Sequence, residues 1–248
     1  DSEIKAFRSG KAFGKFQKML SDYPAANLFE TIPHFHDTPS RYEALKEAVK
    51  DNLSGRLQSV KNELSFALDR EKDASKLVDL AAEDRIPMRV THNDTKINNV
   101  LFDSITNEAI CVIDLDTIMP GLSLYDFGDS IRSGAVTSDE NEQDLDKYGL
   151  DIALFKSYTE GFLSEAGHAL NDEEIANLAF SAKLMTLECG VRFLTDYLNG
   201  DTYFKTDYPE HNLVRCKTQF KLVEDIEKHL DEMNTCVDEI YRRSLIEG

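Results

Sequence analysis

The sequence lacks the glycine-rich loops that cradle phosphates in many nucleotide-binding proteins. Its 12 glycines form no Gly-x-Gly pair, and the pattern Gly-x4-Gly-Lys-Ser/Thr does not occur, which excludes a P-loop. No apolar run approaches the roughly 18 residues of a membrane span, and the polar residues after Asp1 do not resemble a signal peptide. We therefore expect neither a P-loop enzyme nor a membrane protein.

Basic residues are also in short supply. The chain has 28 Lys and Arg against 46 Asp and Glu, which gives a net charge of −18. Nucleic acids and anionic membranes attract basic surfaces, so neither is expected as a partner. The 248 residues are 41% hydrophobic, which is enough for a substantial core in one or two domains.

Cysteines are few and widely spaced, at positions 111, 189, 216 and 236. They show neither the paired spacing of a metal site nor a short-loop disulfide pattern. This usage predicts reduced, mostly buried thiols and a cytoplasmic protein.

Three short apolar runs in the middle of the chain predict buried strands, at residues 88–91, 100–102 and 109–113. The last two are expected to form a hairpin that turns near Thr106-Asn107. Residues with carboxylate or amide oxygens follow these runs directly. They are therefore expected at the edge of the sheet, where the strands end and water or a metal ion can enter.

Asp94, Asn99 and Asp114 are the oxygen-bearing residues that point to chemistry. Phosphoryl transfer needs a carboxylate to accept the proton of the attacking hydroxyl and hard oxygen ligands to hold Mg²⁺ against the phosphates. Protein kinases place an Asn five residues after the catalytic Asp and a metal-binding Asp after a short hairpin. Asp94, Asn99 and Asp114 have that spacing, which predicts a kinase-like catalytic loop.

A second stretch spells the metal motif of protein kinases, Asp126-Phe127-Gly128. It lies beyond an expected Pro120-Gly121 turn and at the start of an apparent helix, SLYDFGDSIRSG. A hairpin that follows Asn99 delivers Asp114 to the metal site, so we reject Asp126 as a metal ligand.

The pattern His-x-Asp-x4-Asn followed by Ile-Asp-x-Asp resembles the aminoglycoside phosphotransferase and choline kinase superfamily. Within it, the segments THNDTKINNVLFD, CVIDLDTIMPGLSLYDFGDSIR and ECGVRFLTDYLNGDTYF resemble the N-acetylhexosamine 1-kinase family, whose members are sometimes labelled mucin desulfatases. The resemblance covers most of the chain.

The resemblance implies an ATP-dependent kinase that phosphorylates the anomeric hydroxyl of an N-acetylhexosamine such as GlcNAc or GalNAc. Asp94 would be the catalytic base, and His92 would brace the catalytic loop. Asn99 and Asp114 would bind Mg²⁺. Three further residues would contact the sugar, namely Asp116, Arg192 and Tyr203.

Relatives in this superfamily carry an amino-terminal lobe that covers ATP, and no such lobe is found between residues 1 and 248. We expect the whole chain to be the carboxy-terminal lobe of a protein-kinase-like fold, mainly α (α+β), with a small β-hairpin core that carries the catalytic loop. The chain alone is expected to be inactive as a kinase.

Apolar residues at helical spacing predict helices over most of the remaining sequence. The expected ranges are 3–21, 38–52 with a hydroxyl cap from Thr38, 58–84 as one helix or two, 151–166, 171–199 and 211–247 in one or two helices. The helix at 171–199 is the most apolar and is expected to be central. His34 and His36 lie in the loop before residue 38, where a surface turn accounts for them.

Arg192 lies inside the apolar helix and needs a partner, because an unpaired buried guanidinium costs several kcal/mol. An ion pair with Asp196, one turn later, is the alternative to the sugar contact that the resemblance implies.

Other functions also fit parts of the pattern. The domain could be a noncatalytic sugar-binding or scaffold domain, or a kinase of another small hydroxyl substrate such as an aminoglycoside, choline or homoserine. A metal-dependent sulfatase or phosphatase is less compatible, since the Cys/Ser-x-Pro-x-Arg context of a sulfatase nucleophile is absent.

Overall fold

The computed structural model describes residues 2–247, which form a mainly helical domain with two small antiparallel sheets. The helices are α1 (Ser2–Met19), α2 (Thr38–Asp51), α3 (Lys61–Leu68), α4 (Lys76–Ala82), α5 (Ser123–Gly134), α6 (Ile152–Ala166), α7 (Asp172–Ala176), α8 (Leu178–Leu198) and α9 (His211–Glu247). The strands are β1 (Arg89–Thr91), β2 (Val100–Phe102), β3 (Ala109–Val112) and β4 (Met119–Gly121). The predicted helical fold with a small hairpin is confirmed. None of the helices within 2–247 combines the length and apolarity needed to cross a bilayer.

The β2–β3 hairpin forms as predicted, with Val100 opposite Val112. The prediction that its strands are buried is wrong for β3, because Ile110 is 66% exposed while Ala109 and Val112 pack against the core. Cys111 on the same strand is also exposed, so the expectation of mostly buried thiols fails there.

Strand β1 pairs with β4 rather than with the hairpin. Pro120 lies opposite Val90 and Gly121 opposite Arg89, so the expected Pro120-Gly121 turn is instead a strand. A proline is tolerated there because the two-stranded ribbon has free edges that need no N–H from it.

Helix α8 is central, as predicted, and packs against α2, α5 and α9. Asn171 begins the preceding helix with a capping box in which its side chain and Glu174 bond each other's backbone. The predicted single helix over 171–199 is wrong in one respect, because Asn177 interrupts it between α7 and α8.

Helices α1 and α6 cross at backbone contact distance because glycines occupy the crossing. A Cβ at Gly10 or Gly14 would meet backbone atoms of α6, including the carbonyl of Phe162, and a Cβ at Gly161 would collide with the carbonyl of Phe7. The close crossing fixes the position of α1, whose residue Phe13 contacts the catalytic loop.

The start of α2 differs in detail from its prediction. The Asp37 carboxylate, not the Thr38 hydroxyl, caps the helix by accepting from the Ser40 amide. The Thr38 hydroxyl instead donates to Glu188 on α8 at 2.6 Å. Residues 58–84 form two helices, α3 and α4, separated by a short turn.

Candidate active site

The catalytic loop between β1 and β2 brings the predicted base and one predicted metal ligand into direct contact. The Asn99 side-chain amide donates to the Asp94 carboxylate at 3.0 Å and to the Asp94 carbonyl at 2.8 Å. Lys96 forms an ion pair with the other Asp94 oxygen at 2.7 Å. Burial opposes charge on Lys96, but the bond to Asp94 outweighs it and raises the pKa of Lys96.

Asp114 is held next to this pair through its neighbour Ile113. The Ile113 amide donates to the Asn99 carbonyl at 2.9 Å, and its carbonyl accepts from His92 Nε2 at 2.9 Å. Asp114 itself has a left-handed backbone with φ of 62°, a conformation that costs a non-glycine residue about 1–2 kcal/mol. Strain of this kind is typical of functional positions.

His92 is completely buried and braces the loop. Its Nε2 donates to the Ile113 carbonyl, while its Nδ1 accepts from the Asp94 amide at 3.3 Å. The tautomer with the proton on Nε2 satisfies both bonds. The rings of Phe13 and Phe16 pack against the imidazole at steep angles, with ring centres 5.5 and 5.8 Å away, so both nitrogens are bonded and the ring is held by aromatic contacts.

Asp126 on helix α5 holds the catalytic loop through hydrogen bonds to its backbone. The Asp126 carboxylate is fully buried and accepts from the amides of His92 at 3.0 Å and Asn93 at 2.7 Å. It also accepts from the Gln17 side chain of α1 at 2.8 Å. These three donors occupy its oxygens, so the Asp126-Phe127-Gly128 stretch serves as a loop anchor.

Asp129 makes the next anchor, one turn along α5. It accepts from the Thr95 amide at 3.1 Å and pairs with Arg132 at 2.7 Å. Burial disfavours its charge, but Arg132 and then His36 lower the pKa of Asp129 below its usual value. Ser130 completes the anchor by donating to the Thr95 carbonyl.

The oxygens that remain free fit a magnesium site. Within residues 2–247, Asn99 Oδ1 accepts no hydrogen bond and the exposed Asp114 carboxylate has neither a hydrogen bond nor an ion pair. The same range holds no cluster of three or more His, Cys, Asp or Glu with metal-binding geometry. Mg²⁺ is commonly bound by one or two carboxylates together with substrate phosphates, and this donor set is of that kind.

Two of the three residues expected at the sugar meet in one cavity of about 300 Å³. Arg192 and Tyr203 line it, together with Arg41 and Phe204. Tyr203 is 71% exposed at the mouth. Asp116 lies elsewhere, exposed in the turn after Asp114, and is not part of the cavity lining.

The alternative role of Arg192, an ion pair with Asp196, is not observed. The Asp196 carboxylate accepts from the amides of Thr202, Tyr203 and Phe204 and therefore folds that loop against α8. Arg192 forms no hydrogen bond or ion pair with any described residue. Aromatic rings surround its guanidinium, with the ring centre of Phe204 at 5.5 Å.

Arg41 on α2 also lines the cavity. It donates to the carbonyls of His34 and Phe35 at 2.9 and 2.8 Å, while its Nε is buried without a partner. Burial and the neighbouring Arg192 lower the pKa of Arg41. The cavity thus presents guanidinium N–H donors and aromatic faces, a combination suited to a polyhydroxylated ligand.

The loop before α2 is not the surface turn that the sequence predicts. His34 is exposed and pairs with Asp37, but the His36 side chain is only 6% exposed. It bonds Glu188 at 2.9 Å and the Asn93 carbonyl at 3.0 Å. Burial disfavours the imidazolium, yet Glu188 outweighs it and raises the pKa of His36.

Sequence reasoning missed five residues around the loop, namely His36, Lys96, Asp126, Asp129 and Glu188. The available signals were two acids at i and i+3 in the apolar α5 segment, Asp126 and Asp129, and an acid one turn before Arg192 in α8, Glu188. Charged residues in buried helices need partners. Asp126 and Asp129 find theirs at the catalytic loop, and Glu188 finds its partners in His36 and Thr38.

Comparisons with known proteins bear on the family and the fold of the chain. A sequence model of the phosphotransferase enzyme family (APH) matches residues 4–156. Ethanolamine kinase from Plasmodium vivax has a similar structure, with a TM-score of 0.51 and 13% sequence identity over 88% of this chain. The aligned chain spans 61% of that kinase. The similarity confirms the predicted carboxy-terminal lobe of a kinase-like fold.

Proposed function

Because the chain belongs to the phosphotransferase enzyme family, as the match over residues 4–156 shows, we propose that it transfers the γ-phosphate of ATP to a small hydroxyl substrate. The proposed acceptor is the anomeric hydroxyl of an N-acetylhexosamine, GlcNAc or GalNAc. In this proposal residues 1–248 supply the carboxy-terminal lobe with the base, the metal ligands and the acceptor pocket.

The observation that carries the proposal is the direct contact of Asp94 with Asn99, together with the position of Asp114 next to the residue that bonds Asn99. Asp94 and Asn99 touch directly, and Asn99 bonds the residue before Asp114. A base and two metal ligands in this arrangement are what phosphoryl transfer requires of a protein. A turn-forming role for each residue alone explains neither the contacts nor the free oxygens.

Each of the site residues has a separate role in the proposed reaction. Asp94 accepts the proton of the acceptor hydroxyl, a step worth about 10²- to 10⁴-fold in rate. Asn99 Oδ1 and the Asp114 carboxylate would hold Mg²⁺, which neutralises phosphate charge when it is bound. His92 keeps the Asp94 backbone in place through the Nδ1 contact.

The acceptor pocket is the cavity lined by Arg192 and Tyr203. The guanidinium of Arg192 has no protein partner among residues 2–247 and can donate to sugar hydroxyls or to an acetamido carbonyl. The exposed ring of Tyr203 offers a face for the sugar ring. Asp116 is proposed to meet the acceptor from the catalytic-loop side, although it does not line the cavity in this structure.

The test is a phosphoryl-transfer assay on the full-length protein with Mg·ATP and a panel of acceptors. GlcNAc and GalNAc are expected to yield the 1-phosphate, whereas ethanolamine, choline, homoserine and an aminoglycoside are not. Asp94→Asn should abolish turnover without changing the circular dichroism spectrum or Tm. Transfer to another acceptor would refute the sugar assignment, and near-normal kcat in Asp94→Asn would refute the base.

Binding without turnover would indicate a noncatalytic sugar-binding domain. Calorimetry with Mg·ATP and with GlcNAc on the full-length protein measures this directly. Arg192→Lys is the informative variant, since it keeps the positive charge but loses the planar fork of donors. A weaker acceptor affinity with unchanged ATP affinity is expected.

A further inference from the structure

The imidazole of His36 lies at a junction between the catalytic loop and helix α8. One ring nitrogen bonds the carbonyl of Asn93, the residue directly before Asp94, at 3.0 Å. The other bonds the carboxylate of Glu188 at 2.9 Å. Both neighbours are hydrogen-bond acceptors, and only an imidazolium carries an N–H on each nitrogen. The geometry therefore fits the charged form of His36.

Glu188 connects this junction to α8 and α2, the two helices that line the acceptor cavity. It lies on α8 one turn before Arg192, and its second oxygen accepts from Thr38, the first residue of α2. Arg41 follows one turn later on α2 and also lines the cavity. Helices α2 and α8, which both line the cavity, thus meet at the Glu188 carboxylate that His36 contacts.

The loop segment that His36 holds is itself constrained. Asn93 has a left-handed backbone with φ of 64°, a conformation that needs support in a non-glycine residue. The Asn93 amide is fixed by Asp126, and its side chain donates to the Thr117 carbonyl at 3.0 Å. The Asn93 carbonyl is the remaining polar group of its backbone, and His36 is its partner.

We propose that His36 is a positioning residue that fixes the distance between the base Asp94 and the acceptor cavity by bridging Glu188 and the Asn93 carbonyl. The catalytic consequence rests on the proposed function, in which Asp94 is the base. The bridge sets where Asp94 lies relative to a sugar bound at Arg192. A displacement of about 1 Å in such an arrangement can cost about 100-fold in rate.

The groups that face the imidazole favour its charge. Glu188 approaches from α8, Asp129 from α5, and Asp37 is the next residue along the chain, while the ring of Tyr125 on α5 lies 5.2 Å away. Arg192 and Arg41 are nearby cations, and both interact with Glu188. The raised pKa of His36 means that the bridge is complete at low pH and loses one of its two donors as pH rises through that pKa.

His36→Gln tests the proposal, because a glutamine amide can reach one acceptor but cannot be charged. In the full-length protein kcat is expected to fall about 10- to 100-fold, with the KM for the acceptor changed less than about threefold. The fall in kcat on the alkaline side of the wild-type pH profile should be absent in the variant. His211→Gln is the matched control, because His211 is also buried but bonds Asn141, away from the loop.

A second measurement needs no turnover. Amide hydrogen exchange should speed up at Asp94 and Thr95 in His36→Gln and stay unchanged in His211→Gln. Equal exchange and equal kcat in His36→Gln and wild type would overturn the positioning role. If wild type phosphorylates no N-acetylhexosamine, the proposed function fails, and the exchange result still decides whether His36 holds the loop.

Discussion

Replacing Asp126 by asparagine should damage both the stability and the activity of the protein, although the two side chains have the same shape. Asp126 accepts from the amides of His92 and Asn93 and from Gln17. An asparagine has one carboxamide oxygen and one NH₂ group in place of two acceptor oxygens. Whichever way it is oriented, its NH₂ group faces one of the two backbone amides.

The cost follows from these bonds. A charge-assisted hydrogen bond contributes about 1.5–3 kcal/mol, and a buried donor left without an acceptor costs about 1–3 kcal/mol more. Gln17 can rotate its amide and accept from the new NH₂ group, since its Oε1 is buried without a partner. The net loss is therefore about 3–5 kcal/mol, or roughly 6–20 °C in Tm for a chain of this size.

Urea unfolding followed by circular dichroism measures the free energy, and the phosphoryl-transfer assay measures kcat. Gln17→Met is the graded comparison, because it removes one of the three bonds to the carboxylate together with the unpaired Oε1 of Gln17 and leaves both backbone bonds. Its loss should therefore be smaller, about 1–2 kcal/mol. Asp22→Asn, at an exposed position, is the surface control. A loss below about 1 kcal/mol in Asp126→Asn, together with unchanged kcat, would refute the anchoring role.

Three further predictions follow from the same geometry. Asp114→Asn should raise the Mg²⁺ concentration needed for half-maximal turnover by about tenfold or more while leaving Tm unchanged, and an unaltered Mg²⁺ titration would contradict a ligand role. Arg132 and His36 lower the pKa of Asp129, so the Asp129 carboxylate should stabilise the fold above about pH 4 and lose this effect as pH falls below that value. In Asp129→Asn the free energy of unfolding should therefore fall less steeply at acid pH than in wild type. Gly161→Ala should lower Tm strongly, because its Cβ would collide with the backbone of α1. Gly134 has open space around it, so Gly134→Ala should leave Tm unchanged. Similar Tm values for the two variants would show that the crossing of α1 and α6 can adjust.

The sequence predicts the helical elements and the catalytic loop well because both depend on local patterns. The spacing of Asp94, Asn99 and Asp114 encodes a loop and a hairpin, and the structure forms both. The pairing of β1 with Pro120 and Gly121 could not be foreseen, since it depends on the path of the chain after Asp114. Short strands carry too little pattern to identify their partner.

The supports of the loop were missed for a different reason. Asp126 and His36 act through contacts with residues 33 and 57 positions away, and no sequence spacing reports such a distance. Arg192 illustrates the opposite error. A helical i, i+4 pair with Asp196 is plausible from sequence, but the loop after α8 satisfies that carboxylate with its own amides.

The strands around the catalytic loop have only three or four residues each, too few to hold a reactive geometry unaided. Helix α5 does this instead, through three side chains at i, i+3 and i+4: Asp126, Asp129 and Ser130. Randomised turns inserted between Asp103 and Glu108 should therefore yield functional proteins far more often than randomised residues on that helix face. The turn of the hairpin, rather than the strands that lead to Asp114, is the segment of this protein that should tolerate redesign.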